Sequence, residues 1–259
     1  GSFVYLSQAD RLNQLPLALV GSAIGTAILP AISRHIGIGE ERQAANIQGR
    51  ATELAMLLTI PATIALIVAA GPIMTVLFEG GRFTSADAAT SALVLSILVT
   101  GLPAYVIIKV LAPGFYARKD MKTPVIITLV TLALGVIANF IWIDDVGIAI
   151  LPLTTSVAAW LNALALYFLL AARGHFRVEG WLGARLAKQL LAALAMGATI
   201  WLVRQLLGEY FSGSVGQRLI GTVALIGAGS VVYFALAWIT GGMDREDLLV
   251  LLRRKKVEE

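Results

Sequence analysis

Charged residues are sparse along this chain and recur at intervals, leaving seven stretches that are apolar and nearly free of charge: 12–33, 54–78, 88–108, 123–143, 146–172, 189–203 and 219–243. A helix rising 1.5 Å per residue needs about 20 residues to cross roughly 30 Å of hydrocarbon. Six of the stretches reach that length. The stretch 189–203 does so only when extended to about 186–207, with Lys188 and Arg204 snorkelling to opposite interfaces. The pattern predicts an all-α integral membrane protein with seven transmembrane helices.

Composition agrees: 58% of residues are hydrophobic and 14% charged, with a mean hydropathy of +0.83, outside the range of soluble domains. The chain has no cysteine, so a disulfide framework and thiolate metal sites are excluded. His35 and His175 are far apart, each between apolar runs, and form no zinc motif. The sequence pI near 9.5 does not point to nucleic acid, because the basic residues flank the apolar runs instead of forming one patch with interleaved aromatics.

Their distribution predicts topology. If the first helix ends in the cytoplasm, fifteen of the 20 Lys and Arg residues fall inside: Arg34, Arg42 and Arg50; Arg118, Lys119 and Lys122; Arg173, Arg177, Arg185 and Lys188; and Arg245 with Arg253, Arg254, Lys255 and Lys256. Arg82, Arg204 and Arg218 fall on the other side, while Arg11 and Lys109 sit at or inside helix ends. The positive-inside rule then puts the chain start outside and the C-terminus in the cytoplasm. The chain opens without a signal peptide or initiator Met, already amphipathic from Phe3 to Leu6, as if entered partway through a longer protein. Residues 244–259 read as a cytoplasmic basic tail, with a short surface helix and a clamp at Arg253 to Lys256 suited to anionic membrane lipid.

Prolines punctuate the runs at Pro16, Pro30, Pro61, Pro72, Pro103 and Pro152. Each removes a backbone hydrogen bond and can bend a helix for gating, although proline is also common in static membrane helices. The small-residue ridges at Gly21 to Gly25 and at Gly221, Gly227 and Gly229 read as packing faces, and the amides Asn139 and Asn162 as interhelical hydrogen-bonding groups.

Asp10 and Arg11 adjoin the first run with no turn signal between, so the helix begins before them. Either they face a wet cavity, which would justify roughly 2.5–3.5 kcal/mol of insertion cost at a helix centre, or they anchor in outer headgroups. Gln14 falls on the face of Arg11, and a polar stripe of Asp10, Arg11, Gln14 and Ser22 favours the cavity. Farther on, Lys109 precedes Pro113 and Gly114, where the helix should break, to restart at Thr123-Pro124 with Thr123 as cap. Lys109, Arg118 and Lys122 place three cations around this connection, suited to an anionic headgroup.

Three ordered blocks carry a resemblance: Ala9-Asp10-Arg11-Leu12-Asn13-Gln14-Leu15-Pro16; Gly25-Thr26-Ala27-Ile28-Leu29-Pro30; and Lys109 through Asp120 with Thr123-Pro124. Together with Phe78-Glu79-Gly80-Gly81-Arg82-Phe83-Thr84 between them, they resemble the C-terminal half of the bacterial lipid II flippases of the MurJ (MviN) family. The resemblance implies a fold of the multidrug/oligosaccharidyl-lipid/polysaccharide exporter superfamily, two six-helix lobes around a central cavity with two additional C-terminal helices. Residues 1–172 would then be the second lobe lacking its first helix, and 173–243 the additional pair, associated with a groove for the lipid tail. It further implies lipid II as substrate, with Arg11 at a cavity position meeting its diphosphate, Asp10 and Gln14 beside it, and Lys109, Arg118 and Lys122 at a cytoplasm-side gate. The partners implied are the N-terminal lobe and membrane lipids, in the bacterial inner membrane.

The residues suit such a task. A flipped lipid keeps its tail in hydrocarbon, so the barrier is passage of the charged headgroup, and arginine binds phosphate oxygens in pairs while staying charged. No bond is broken and no cofactor is expected. No Walker phosphate-binding pattern is present, which leaves sodium, a proton or the membrane potential to supply direction. A related exporter for drugs or polysaccharide-lipids has the same hydropathy, and only the blocks around Arg11 and Lys109 argue against it. A membrane enzyme would need several carboxylates or histidines at one depth, where only Asp10 approaches the interior.

Overall fold

The structure, a computed structural model, describes residues 2–80, 83–206, 208, 215–245 and 247, with the backbone alone at 2, 3, 19, 21–27 and 215. Its elements are helices: α1 (Ser2–Pro16), a π-helical turn (Leu17–Ser22), α2 (Ala23–Gly37), α3 (Glu41–Val68), α4 (Ala70–Phe78), α5 (Ser85–Leu98), α6 (Leu102–Tyr116), α7 (Lys122–Val146), α8 (Ile150–Ala172), α9 (Gly180–Leu206) and α10 (Val215–Ile239). The Ser22 side chain, the ridge at Gly21 to Gly25, Arg82 and the tail beyond residue 247 lie outside what is described.

Among the described residues five segments are long and apolar enough to cross a membrane, Glu41–Val68, Ser85–Tyr116, Lys122–Ala172, Gly180–Leu206 and Gly216–Ile239. The third holds two helices, α7 and α8, folded back on each other: Asn162 Nδ2 donates to Thr128 Oγ1 at 3.0 Å, and Thr154 Oγ1 donates to Asn139 Oδ1 at 2.7 Å. Both amides therefore serve the interhelical role expected of them. The first run does not qualify as a span. Proline at position 16 withholds an N–H, the backbone widens into the π-turn, and two 15-residue α-helical pieces result. The count of seven is thus not reproduced by length and apolarity.

α3 occupies the middle, packing on α2 and α6 on one side and on α9 on the other. α10 covers α9 and α4, α8 covers α5 and α6, and α7 lies outermost on α8 with most of its apolar side chains exposed. Gly197 and Gly229 let these helices close in, since a Cβ at either would come within 2.7 Å of Ile64 or Ile200. The ridge in α10 is a packing face at Gly229, as expected, while Gly227 meets nothing within 4 Å.

The prolines explain much of the docking. Pro61 has no N–H for the Leu57 carbonyl, and the buried Tyr233 of α10 supplies the missing donor at 2.7 Å. At the Gly101-Pro103 kink between α5 and α6, Leu102 N–H turns to the Val99 carbonyl. Ser156 Oγ of α8 then donates to the Ile97 and Leu98 carbonyls at 3.0 and 3.1 Å. Gly101 permits the approach, because a Cβ there would meet Ser156 Cα at 2.9 Å. At both prolines, backbone carbonyls of one helix accept a side-chain hydroxyl from another and so become sites of helix attachment. Pro72, lacking a donor for Val68, ends α3 there.

The helix break expected at Pro113-Gly114 is absent: α6 runs through to Tyr116. Buried Gln48 of α3 stabilises the passage by donating from Nε2 to the Val110 and Leu111 carbonyls at 3.1 and 3.3 Å. Nor is Thr123 the cap of α7. Asp120 accepts from Thr123 N–H at 3.0 Å and from its hydroxyl at 2.7 Å, and Pro124 occupies the first turn.

Residues assigned to each membrane face meet one another. Glu79 pairs with Arg218 at 3.3 Å at one end; Arg118 with Glu41, Arg173 with Asp120 and Arg185 with Glu53 meet at the other. A cysteine at Ser85, the sole thiol in this chain, is expected to react with an impermeant reagent added outside intact spheroplasts. Blocking only by a membrane-permeant reagent would invert the topology.

Candidate functional site

α1 is anchored at its start, where Tyr5 donates to Asp87 Oδ1 at 2.5 Å and its ring meets Phe83 edge-on at 6.5 Å. Asp87 also closes a capping box with Thr84 that begins α5. From this fixed end α1 descends along α5, turning Ala9, Leu12 and Asn13 inward and Arg11, Gln14 and Leu15 outward. Gln14 Nε2 donates to Asp10 Oδ2 at 2.5 Å, a contact one helical turn long. Asp10 is half-buried and near enough to Tyr105 of α6 to act on it electrostatically. Arg11 is exposed, with no ion pair among the described contacts, and lies six residues from Tyr5, or ~9 Å along the axis at 1.5 Å per residue. The stripe read from the sequence is thus one surface at Asp10, Arg11 and Gln14.

The second group is distributed differently. Lys109 and Lys122 are exposed, while Arg118 is largely covered, its Nη1 donating to the Gly114 carbonyl at 2.5 Å and its Nη2 to Glu41. Arg118 therefore ties the end of α6 to the start of α3. Asp120 binds Arg173 Nη1 at 2.7 Å, and this bond with those from Thr123 holds its carboxyl down at about 2.

Sequence reading misses a buried charge cluster among the described residues. Glu53, 1% exposed, accepts from Arg50 Nη1 at 2.7 Å and from Arg185 Nη1 of α9. Arg185 also binds Asp244, and Asp247, equally buried, faces Arg50 Nη2 at 3.2 Å and Arg185 at 3.7 Å. Asp244 N–H donates to Asp247 Oδ2 at 2.7 Å. The network binds α3, α9 and the segment after α10 at one membrane end. The one local signal was the Arg50-x-x-Glu53 spacing at the edge of an apolar run; Arg185 is 132 positions away.

His175, between α8 and α9, has its pKa lowered from 6.5, first by burial and then by the Arg118 charge. Lowered in the fold, it favours folding above pH 6.5, and that contribution is lost as pH falls through the folded value. Asp120 stays ionised throughout that range. The thermal midpoint is expected to drop between pH 7 and pH 5 by less in His175→Gln than in the parent; equal drops would exclude His175 as a source.

The model of the family described as lipid II flippase MurJ matches residues 1–221. The chain belongs to this family. A probable lipid II flippase MurJ of Rhizobium tropici is 36% identical over 260 residues, covering 99% of this chain and 48% of the relative. The lipid II flippase MurJ of Burkholderia cenocepacia is 34% identical over 251 residues, covering 93% and 47%. A solved lipid II flippase MurJ in an inward closed conformation superposes with a TM-score of 0.74 at 27% identity, over 92% of this chain and 47% of that one. The chain spans about half the length of the curated relatives it matches. Family membership and the apolar helices make it a multi-pass membrane protein of a transporter family.

Proposed function

We propose that this chain forms about half of a transporter that moves lipid II, the undecaprenyl-diphosphate-linked peptidoglycan precursor, from the cytoplasmic to the outer leaflet of the bacterial inner membrane by alternating access. The observation that carries this reading is the family match over residues 1–221, and the exposed Arg11–Gln14 surface on α1 supports it. Arg11 meets the diphosphate, with Asp10 and Gln14 orienting the headgroup beside it. Lys109 and Lys122 guard the cytoplasmic entrance, and the Arg118–Glu41 pair holds the gate's hinge between α6 and α3. α9 and α10 offer the groove for the lipid tail, 1–172 serve as the second lobe, and the residues from 244 onward form a cytoplasmic basic tail on anionic lipid.

No bond is made or broken, so the protein acts as a transporter and not as an enzyme, and it needs no cofactor. An inside-negative potential favours outward movement of an anion by about 2.3 kcal/mol per charge per 100 mV, with a sodium or proton gradient as the other source of direction. The partners are lipid II, the N-terminal lobe and membrane lipids.

A lone lobe turns a polar cavity wall toward lipid, where each unsatisfied group costs several kcal/mol. In a flippase-depleted strain, this chain is expected to restore growth only when co-expressed with the N-terminal lobe. Rescue by the chain alone would remove the two-lobe reading.

A further inference from the structure

A second polar site lies away from α1, where the start of α3 meets the loop between α8 and α9. There a pocket of about 200 Å³ opens at the membrane end, with Arg42 and Asn46 on one wall and His175 and Arg177 on the other. Its shape depends on Gly49: a Cβ there would press within 3.3 Å of the Trp181 ring, which packs on α3 at this point and lines the pocket.

The charges around it are unevenly matched. Of the two carboxylates in the lining, Glu41 is held by Arg118, and Glu179 accepts from Trp181 Nε1 at 2.8 Å. Among the described contacts Arg42 has no ion pair, and Arg177 makes a 3.4 Å bond from Nε to the Ala171 carbonyl with none from its terminal nitrogens. Burial, and then the charges of Arg118 and Arg173 against the opposing charge of Glu41, lower the pKa of His175 from its ordinary value. His175 Nδ1 is buried without a hydrogen-bond partner among the described residues.

Two exposed guanidinium groups facing a small concavity, with a partly exposed indole at the same level, have the chemistry of an interfacial phosphate site. Arginine binds phosphate oxygens in pairs, tryptophan settles at the headgroup level, and basic pockets between membrane helices receive anionic headgroups. We propose that this pocket binds a phosphate group, that of an anionic phospholipid such as phosphatidylglycerol in the surrounding leaflet, through Arg42 and Arg177. A lipid seated there touches both α3 and the α8–α9 loop, and so fastens the α9–α10 pair to the lobe. This site is separate from Arg11 and holds whether or not the protein flips lipid II.

The test is native mass spectrometry of the full-length protein, delipidated and then titrated with phosphatidylglycerol, phosphatidylcholine or inorganic phosphate. Phosphatidylglycerol is expected to bind more tightly than phosphatidylcholine, and the double variant Arg42→Ala/Arg177→Ala to weaken its binding by about thirtyfold. Glu179→Gln, which removes a carboxylate from the rim, is expected to tighten it. Inorganic phosphate at millimolar concentration should leave the lipid bound; displacement at that concentration would assign the site to free phosphate and overturn the lipid source. Equal phosphatidylglycerol binding by parent and double variant, with thermal unfolding showing both folded, would overturn the site itself.

Discussion

Arg185→Ala is expected to destabilise the protein by about 3 kcal/mol, at the lower end of what breaking a buried ion pair costs, because Arg185 retains 22% exposure. Its partner Glu53 is 1% exposed, and with Arg185 gone that carboxylate keeps Arg50 alone, while Asp244 and Asp247 gather nearby with too little positive charge. The reverse deletion is milder. Glu53→Gln leaves two partly exposed arginines that still face Asp244 and Asp247, so a smaller loss is expected. Arg185→Lys should fall between, since an ammonium keeps the charge but cannot fork to carboxylates on two elements. Thermal unfolding of the purified full-length protein checks the order. If Arg185→Ala unfolded with the parent, the network would be only a surface arrangement, and attachment of α9 to α3 would rest on the close approach at Gly197 and the apolar packing around it.

That network shows where the sequence is legible and where it is not. Hydropathy marks a helix by its own residues, so the six later apolar runs reappear within α3 through α10, although α3 and α9 begin well before their runs, at Glu41 and Gly180, and the runs 54–78 and 88–108 are each shared by two helices. The amides Asn139 and Asn162 could be read because a buried polar group among apolar neighbours must find a partner on another helix. Partners distant in the chain left no such mark. Nothing local to Pro113 announces that Gln48, 62 residues before Val110, will reach the Val110 carbonyl, so the local sequence reads as a broken helix where a continuous one is found. Nothing local to Pro61 announces Tyr233. The π-turn after Pro16 is a further case: composition makes 12–33 one apolar run, but the proline divides its α-helical hydrogen bonding. Of the site, Asp10, Arg11 and Gln14 were legible together because helical spacing alone puts Arg11 and Gln14 on one face. Sequence proximity groups Arg118 with Lys109 and Lys122, whereas tertiary contact with Glu41 commits it to a different neighbour.

Arg11 is where the proposed transport is most exposed to disproof. If it receives the diphosphate, Arg11→Ala is expected to abolish flipping and Arg11→Lys to impair it severely, because an ammonium cannot reproduce paired planar donors to phosphate oxygens. An interfacial anchor predicts otherwise: lysine would serve nearly as well, since both side chains carry their charge to the headgroups on an apolar stem. The fold sharpens the contrast. Tyr5 and Asp87 fix the start of α1 at the beginning of α5, and Arg11 lies ~9 Å farther along the axis, on the face away from Ala9 and Leu12. Asp10 is bonded to Gln14 and not to Arg11, so removing the guanidinium leaves that carboxylate with its partner, and the alanine variant should reach the membrane at parental levels. Growth of a flippase-depleted strain carrying each variant in the full-length protein, at matched membrane abundance, decides between the two. Parental growth with Arg11→Ala would exclude an indispensable substrate contact at this position and leave the Arg11–Gln14 face as an outer-leaflet anchor.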